Sequence, residues 1–184
     1  TAIEKSMAIF QKDKDAVLTY SRFYSCDKDL KPLKSFKSAQ QVQNKDPYFF
    51  NYPIQIAHFV CFKKATYLAT EKMNPELKIS EDQDLYLKLY EKGKVVFINE
   101  TNYLYRTHEG GISQNDHKKK SYEYWAKVIF SAMKRRNLKT INGKNIPEKF
   151  TNSEEIFSLL AYQNSISYRI KKKLKILFQS LFHS

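Results

Sequence analysis

Apolar and polar positions along this chain repeat with two periods, and the switches between them mark out the elements. Three- and four-residue spacing predicts a helix over residues 2–11, with Ile3, Met7 and Phe10 facing inward. β-Branched and aromatic residues then predict a strand over 16–24. The following CDKDLKPLKSFK is polar and turn-rich, and a less regular stretch leads to Tyr48-Phe49-Phe50. Next come a strand over 56–61, a short helix, a turn at NPEL, a helix over 82–92, a strand over 95–98 and an extended segment over 102–106. This alternation predicts an α/β layer, with too few parallel strands for a whole doubly wound domain.

From residue 114 onward the pattern becomes helical. Trp125, Val128, Ile129, Ala132 and Met133 form one apolar side of a helix, with Arg135 and Arg136 at its favourable carboxyl end. TINGKNIPEKF reads as a connector, and Thr151 with Glu154 is placed to cap a helix running to residue 162. In the last segment Ile166, Ile170, Leu174, Leu177, Phe178 and Leu181 make an apolar stripe. Arg169, Lys171, Lys172, Lys173 and Lys175 accompany it with no acidic residue from 166 to the end. Two roles fit that stripe: lying on an anionic membrane surface, or docking onto this protein or a second subunit.

Composition narrows the picture only in part. Of 184 residues 42% are hydrophobic, including 13 Tyr and 13 Phe, enough for one substantial core. No apolar run approaches the ~20 residues that cross a bilayer. Cys26 and Cys61 have no metal-site spacing and read as buried thiols, which points to a reducing compartment. The formal charge of +13 permits nucleic-acid, anionic-lipid or phosphorylated ligands without selecting among them.

Candidate chemistry centres on KISEDQDLYLKLYEKGKVVF, residues 78–97, where Glu81, Asp82 and Asp84 crowd a predicted helix start. A structural role accounts for them: Ser80 and Gln83 have capping-box spacing, and a helix start favours negative charge. Gly93 is placed to close that helix before Val95-Val96. A chemical role competes, since a carboxylate within reach of a hydroxyl can act as a general base. The helix start would hold Asp82 charged and so weaken it as a base.

Two further strings, Asp13-Lys14-Asp15 and Asp27-Lys28-Asp29, have the paired carboxylates that Mg²⁺ accepts beside phosphate oxygens. Nothing nearby completes either site, so solvated turns are expected. In NYLYRTHEGGIS, residues 102–113, alternating aromatics predict an edge or floor strand, and Arg106 and His108 share a face if extension continues. Arg106 suits phosphate oxygens and His108 suits a divalent cation or phosphate. The structural alternative pairs Arg106 with an acid and leaves His108 exposed.

In their order and spacing these pieces resemble the acceptor-side, catalytic half of a family 2 glycosyltransferase with the GT-A fold. The matching residues are VLTYS at 17–21, Glu81-Asp82 opening a helix, the span from Gly93 to Glu100, and Tyr105-Arg106-Thr107-His108 followed by GGIS. The resemblance covers residues 1–113 and implies a partial GT-A fold there, with 114–184 a helical extension ending in a basic amphipathic segment. It implies inverting transfer of sugar from a nucleotide-sugar donor to a glycan or surface-polysaccharide acceptor. By the same likeness Asp82 is the general base and Glu81 its acidic neighbour or acceptor-positioning group. Arg106 and His108 take the donor-phosphate side, with His108 also a ligand for Mg²⁺ or Mn²⁺. Neither Asp13/Asp15 nor Asp27/Asp29 stands where the family's metal-binding pair belongs. A missing N-terminal, nucleotide-binding half is therefore an expected partner, and the isolated chain is expected to bind donor weakly. The implied setting is cytoplasmic, peripheral at the inner face of the cytoplasmic membrane. The alternative is a noncatalytic nucleic-acid-binding module, which the charge and interspersed aromatics would serve, although no recognisable motif joins them.

Overall fold

The computed structural model describes residues 1–107 and 118–181. Its organising element is β1 (Ala16–Cys26), an 11-residue strand that borders every other strand of a four-stranded mixed sheet. On one side it pairs along its length with β4 (Lys94–Arg106), in parallel. Two short antiparallel strands share its other side: β3 (Val60–Phe62) beside residues 18–20, and β2 (Pro32–Ser35) beside 24–26. Residues 16–21 are all buried, as a strand covered on both faces requires. The segments expected over 95–98 and 102–106 are one continuous strand, and register shifts at Tyr20/Arg22 and Arg22/Phe23 absorb its irregular middle.

The helices are α1 (Ala2–Lys12), α2 (Lys64–Leu68), α3 (Glu81–Tyr90), α4 (Lys118–Arg135), α5 (Ser153–Leu160) and α6 (Ile166–Leu181). A 3₁₀ turn over Ala161–Asn164 links the last two. Three expectations need correction. In α1 only Phe10 of the three anticipated apolar residues is buried; Ser6 fills the adjacent inward position, while Ile3 and Met7 are exposed. The cap of α5 is Asn152, whose side chain accepts from the Glu155 amide, whereas Thr151 hydrogen-bonds the Glu155 carboxylate. TINGKN is a hairpin, with β5 (Thr140–Ile141) and β6 (Lys144–Asn145) joined through Asn142 and Gly143, both at positive φ.

One hydrophobic core joins the sheet to the later helices. Leu18 and Tyr20 of β1, Leu87 and Leu89 of α3, Ile129 and Met133 of α4, and Ile156 and Leu160 of α5 belong to it, each essentially inaccessible. Val128, Ile129, Ala132 and Met133 form the buried side of α4 as their spacing predicts, with Trp125 packed against the core. At the end of α4, Arg135 and Arg136 both bind Glu91, tying α4 to the end of α3. The outer edge of β4 is covered in an unusual way. Side-chain amides of Gln41 and Asn44 exchange hydrogen bonds of 2.8–3.1 Å with the Val95 and Phe97 backbone, standing in for a strand.

Candidate functional site

The acidic cluster divides by burial into two kinds of carboxylate. Asp84 is buried and holds Lys88 at 2.6 Å, with Arg135 of α4 at 3.7 Å. It therefore serves the packing of α3, where an unpaired charge would be costly. Glu81 and Asp82, one turn earlier, are only partly buried. Among the described residues Glu81 has no hydrogen-bond or ion-pair partner, and Asp82 bonds only to Gln83, its own neighbour.

The start of α3 is not built as the capping-box spacing predicts. Ser80 sits at a left-handed φ of 63° and its side chain makes no cap hydrogen bond. The Asp82 carboxylate does part of that work instead, accepting from the Gln83 amide at 2.8 Å. The Gln83 side chain accepts from Asn51 Nδ2 at 2.7 Å and donates to Asp82 Oδ2 at 3.4 Å. Asn51 is wholly buried and also accepts from the amides of Gln55 and Ile56 while donating to the Ile56 carbonyl. A loop residue thus supports α3 directly beneath the carboxylate.

Electrostatics at Asp82 also differ from the expectation drawn from the helix start. Burial raises its carboxyl above the ordinary Asp value, and the neighbouring Glu81 adds to the rise; the Gln83 amide and His58 oppose it. Desolvation outweighs the favourable helix end, which makes Asp82 a better proton acceptor once ionised. The Tyr86 hydroxyl, four residues on, is also raised, by burial first and then by Asp82 and Glu81.

His58 connects this carboxylate to the sheet. Its ring stacks on Tyr105 with centroids 5.3 Å apart and an interplanar angle of 11°, and it touches Tyr103 and Phe23. Phe23 in turn stacks on Phe36 at 4.7 Å. Tyr103 and Tyr105 lie near the carboxyl end of β4 and Phe23 near that of β1, so the acidic group and its aromatic surround sit toward the carboxyl ends of the parallel pair. Open α/β sheets commonly place their sites there. Tyr103 remains partly exposed, leaving an aromatic surface beside His58.

Arg106 ends β4 opposite Cys26 and is exposed. Strand alternation sends its side chain to the face of Leu104, opposite that of Tyr103 and Tyr105, so it is not gathered with Glu81 and Asp82. His108 lies outside the described residues. Both Asp-x-Asp strings form turns: Asp13 accepts from the amides of Asp15 and Ala16 and pairs with Lys94 at 2.7 Å, while Asp27 accepts from the amides of Asp29 and Lys31. Among the described residues no three His, Cys, Asp or Glu side chains converge as a possible metal-ligand set. A shallow depression of about 620 Å³ between α4 and α5, lined by Lys119, Tyr122, Glu123, Ser153 and Glu154, does not involve the acidic group.

Asn51 and His58 escaped the sequence reading because no local signal marks them. Asn51 reaches Gln83 across 32 residues, and His58 acquires its neighbours through ring contacts with distant strands. Gln83 was visible, but as half of a local box rather than as the partner of a loop. Comparison with models of known protein families gave no match, and comparison with curated proteins gave none either.

Proposed function

We propose that this chain supplies the acceptor side of an inverting glycosyltransferase of the family 2, GT-A type. The observation that carries the reading is Asp82: a part-buried carboxylate of raised basicity at the start of α3, beside His58 and an aromatic surface at the carboxyl ends of β1 and β4. The order of the Glu81-Asp82, Gly93 to Glu100 and Tyr105-Arg106 pieces supports the same assignment.

In this mechanism the ionised Asp82 takes the proton of an acceptor hydroxyl as that oxygen attacks the anomeric carbon of the donor sugar. The bond from that carbon to the nucleoside diphosphate breaks on the opposite side and its electron pair leaves with the diphosphate, inverting the anomeric centre. Gln83 fixes the carboxylate through its amide, and Asn51 fixes Gln83. Alignment of oxygen, carbon and base contributes much of the rate in such a step. Burial keeps Asp82 basic and Glu81 adds to it, and Tyr103 offers a face for an acceptor sugar ring. Donor recognition on the His108 side, with Mg²⁺ or Mn²⁺, remains part of the proposal and requires a nucleotide-binding region; Arg106, on the other face of β4 from Tyr103 and Tyr105, could reach only donor atoms remote from Asp82.

The test is Asp82→Asn in the complete enzyme carrying these residues. Removing a general base should lower turnover by roughly 10²–10⁴-fold with the fold intact. Wild-type turnover by the folded variant would eliminate Asp82 as the base.

A further inference from the structure

The terminal helix α6 presents its two sides unequally to the body of the protein. It is attached to the body by its polar side. Lys172 Nζ donates to Gln55 Oε1 at 2.6 Å and lies 5.4 Å from the Phe49 ring centroid, and Gln179 donates to the Asn44 carbonyl at 3.3 Å. Tyr168 packs on Tyr162 with ring centroids 5.1 Å apart, and Ile176 is half-buried on the same side. At ~100° per residue these four positions lie roughly opposite the apolar stripe.

Four residues of that stripe consequently face away from the protein. Ile166 is 76% exposed, Ile170 54%, Leu174 49% and Phe178 59%. An amphipathic helix of a globular protein ordinarily buries its apolar side against its own core. Here the body holds the other side, through a lysine, a glutamine and a tyrosine. Exposed basic residues border the stripe on both flanks, Arg169 and Lys173 along one and Lys171 and Lys175 along the other, with no acid anywhere in the helix. Among the described residues no helix is long and apolar enough to cross a membrane.

We propose that α6 is a membrane-docking surface that lies flat on anionic lipid, its Ile166–Phe178 stripe entering the headgroup boundary while the flanking Lys and Arg meet lipid phosphates. Charge complementarity selects this occupant. Nucleic acid would be met by the same cations, yet it would leave four large apolar side chains between them in water. Lipid satisfies both parts of the pattern, since the long basic side chains reach the headgroup level from either flank of a buried stripe.

The experiment is cosedimentation of the 184-residue chain with vesicles of phosphatidylcholine alone or of phosphatidylcholine with phosphatidylserine. Binding should favour the anionic vesicles by about tenfold or more, and high salt should erase most of that preference. Ile170→Ser with Leu174→Ser should reduce binding about tenfold or more without lowering the melting temperature, because these side chains make no part of the core. Lys171→Glu with Lys173→Glu should abolish the anionic preference. Equal binding to both vesicle types by the wild-type chain would overturn the proposal. So would undiminished binding by the folded serine variant, or a change from dimer to monomer in that variant, which would make the stripe a protein interface. Tighter binding to nucleic acid than to anionic vesicles, insensitive to the serine substitutions, would overturn it in favour of the nucleic-acid alternative.

Discussion

Replacing Asn51 by Ala tests whether the loop beneath α3 is held as the structure describes. The side chain makes four hydrogen bonds in a fully buried setting: it accepts from the Gln55 and Ile56 amides at 2.8 Å each and donates to the Ile56 carbonyl at 3.0 Å and to Gln83 Oε1 at 2.7 Å. Each buried group left without a partner costs ~1–3 kcal/mol, less whatever water recovers in the vacated space. The backbone adds to this, since Asn51 has φ of 53°, a conformation Asn tolerates and Ala resists by ~1–2 kcal/mol. The expected loss is about 4 kcal/mol, in the upper tail for a single substitution. Urea unfolding followed by Trp125 fluorescence, with far-ultraviolet circular dichroism as a second probe, measures it. Asn51→Gly separates the contributions, because it removes the same hydrogen bonds without the left-handed penalty and should recover about 1 kcal/mol relative to Ala. A loss below about 1 kcal/mol for Asn51→Ala, with an unchanged denaturant slope, would refute the reasoning.

Four further outcomes are expected. Gly93→Ala should destabilise by about 1–3 kcal/mol through overpacking, because its Cβ would fall 2.4 Å from Val17 Cγ1 and 3.1 Å from the Asp15 carbonyl; Val17→Ala in that background should restore part of the loss, and an unchanged melting temperature would count against the contact. On the proposed function, the acid limb of kcat/KM should lie above the ordinary Asp value, and Glu81→Gln should move it to lower pH by removing a negative neighbour; an upward move would contradict the assignment. The same raised pKa has a stability counterpart: its favourable contribution is present below the unfolded Asp value and is lost as pH rises through the folded one, so Asp82→Asn should flatten that fall in acid-range melting curves. Tyr103→Ala should raise KM for the acceptor several-fold while kcat and the melting temperature change little, as loss of an exposed aromatic face implies; an effect on kcat alone would argue against a binding role.

What the sequence made legible follows the range of the interactions involved. β1, α3 and α4 could be read from the chain because their apolar periods arise within a single element, and α1 was legible as a helix though not in the face it buries. The hairpin at Asn142-Gly143 carried a strong local turn signal that lay inside an apparent connector, and its two-residue strands gave no period to accompany it. By contrast, the edge of β4 is completed by Gln41 and Asn44 from a segment with no regular pattern, which only the folded backbone brings within reach. The acidic cluster was legible as a cluster, yet its division was not. Asp84 becomes structural because Lys88 and Arg135 converge on it, and Arg135 arrives from another helix. Asp82 gains basicity because burial overcomes the helix end, a balance that residue spacing does not express.

The same loop that supports Asp82 also anchors α6. Lys172 donates to Gln55 Oε1 at 2.6 Å, the Gln55 amide donates to Asn51 at 2.8 Å, Asn51 donates to Gln83 at 2.7 Å, and the Gln83 amide donates to Asp82 at 2.8 Å. Every link is a side chain or amide held by the folded structure, and Gln55, Asn51 and Gln83 are buried. A hydrogen-bonded network of buried groups resists rearrangement because breaking one member leaves its neighbour unpaired in a low-dielectric setting. The exposed stripe of α6 and the candidate base are therefore tied to each other through one loop. A surface-bound enzyme acting on an acceptor near the lipid would need that relation, since alignment at the reacting atoms is lost over about 1 Å. A helix joined only by a flexible linker could bring the protein to a membrane, but it would leave the height and angle of Asp82 undetermined.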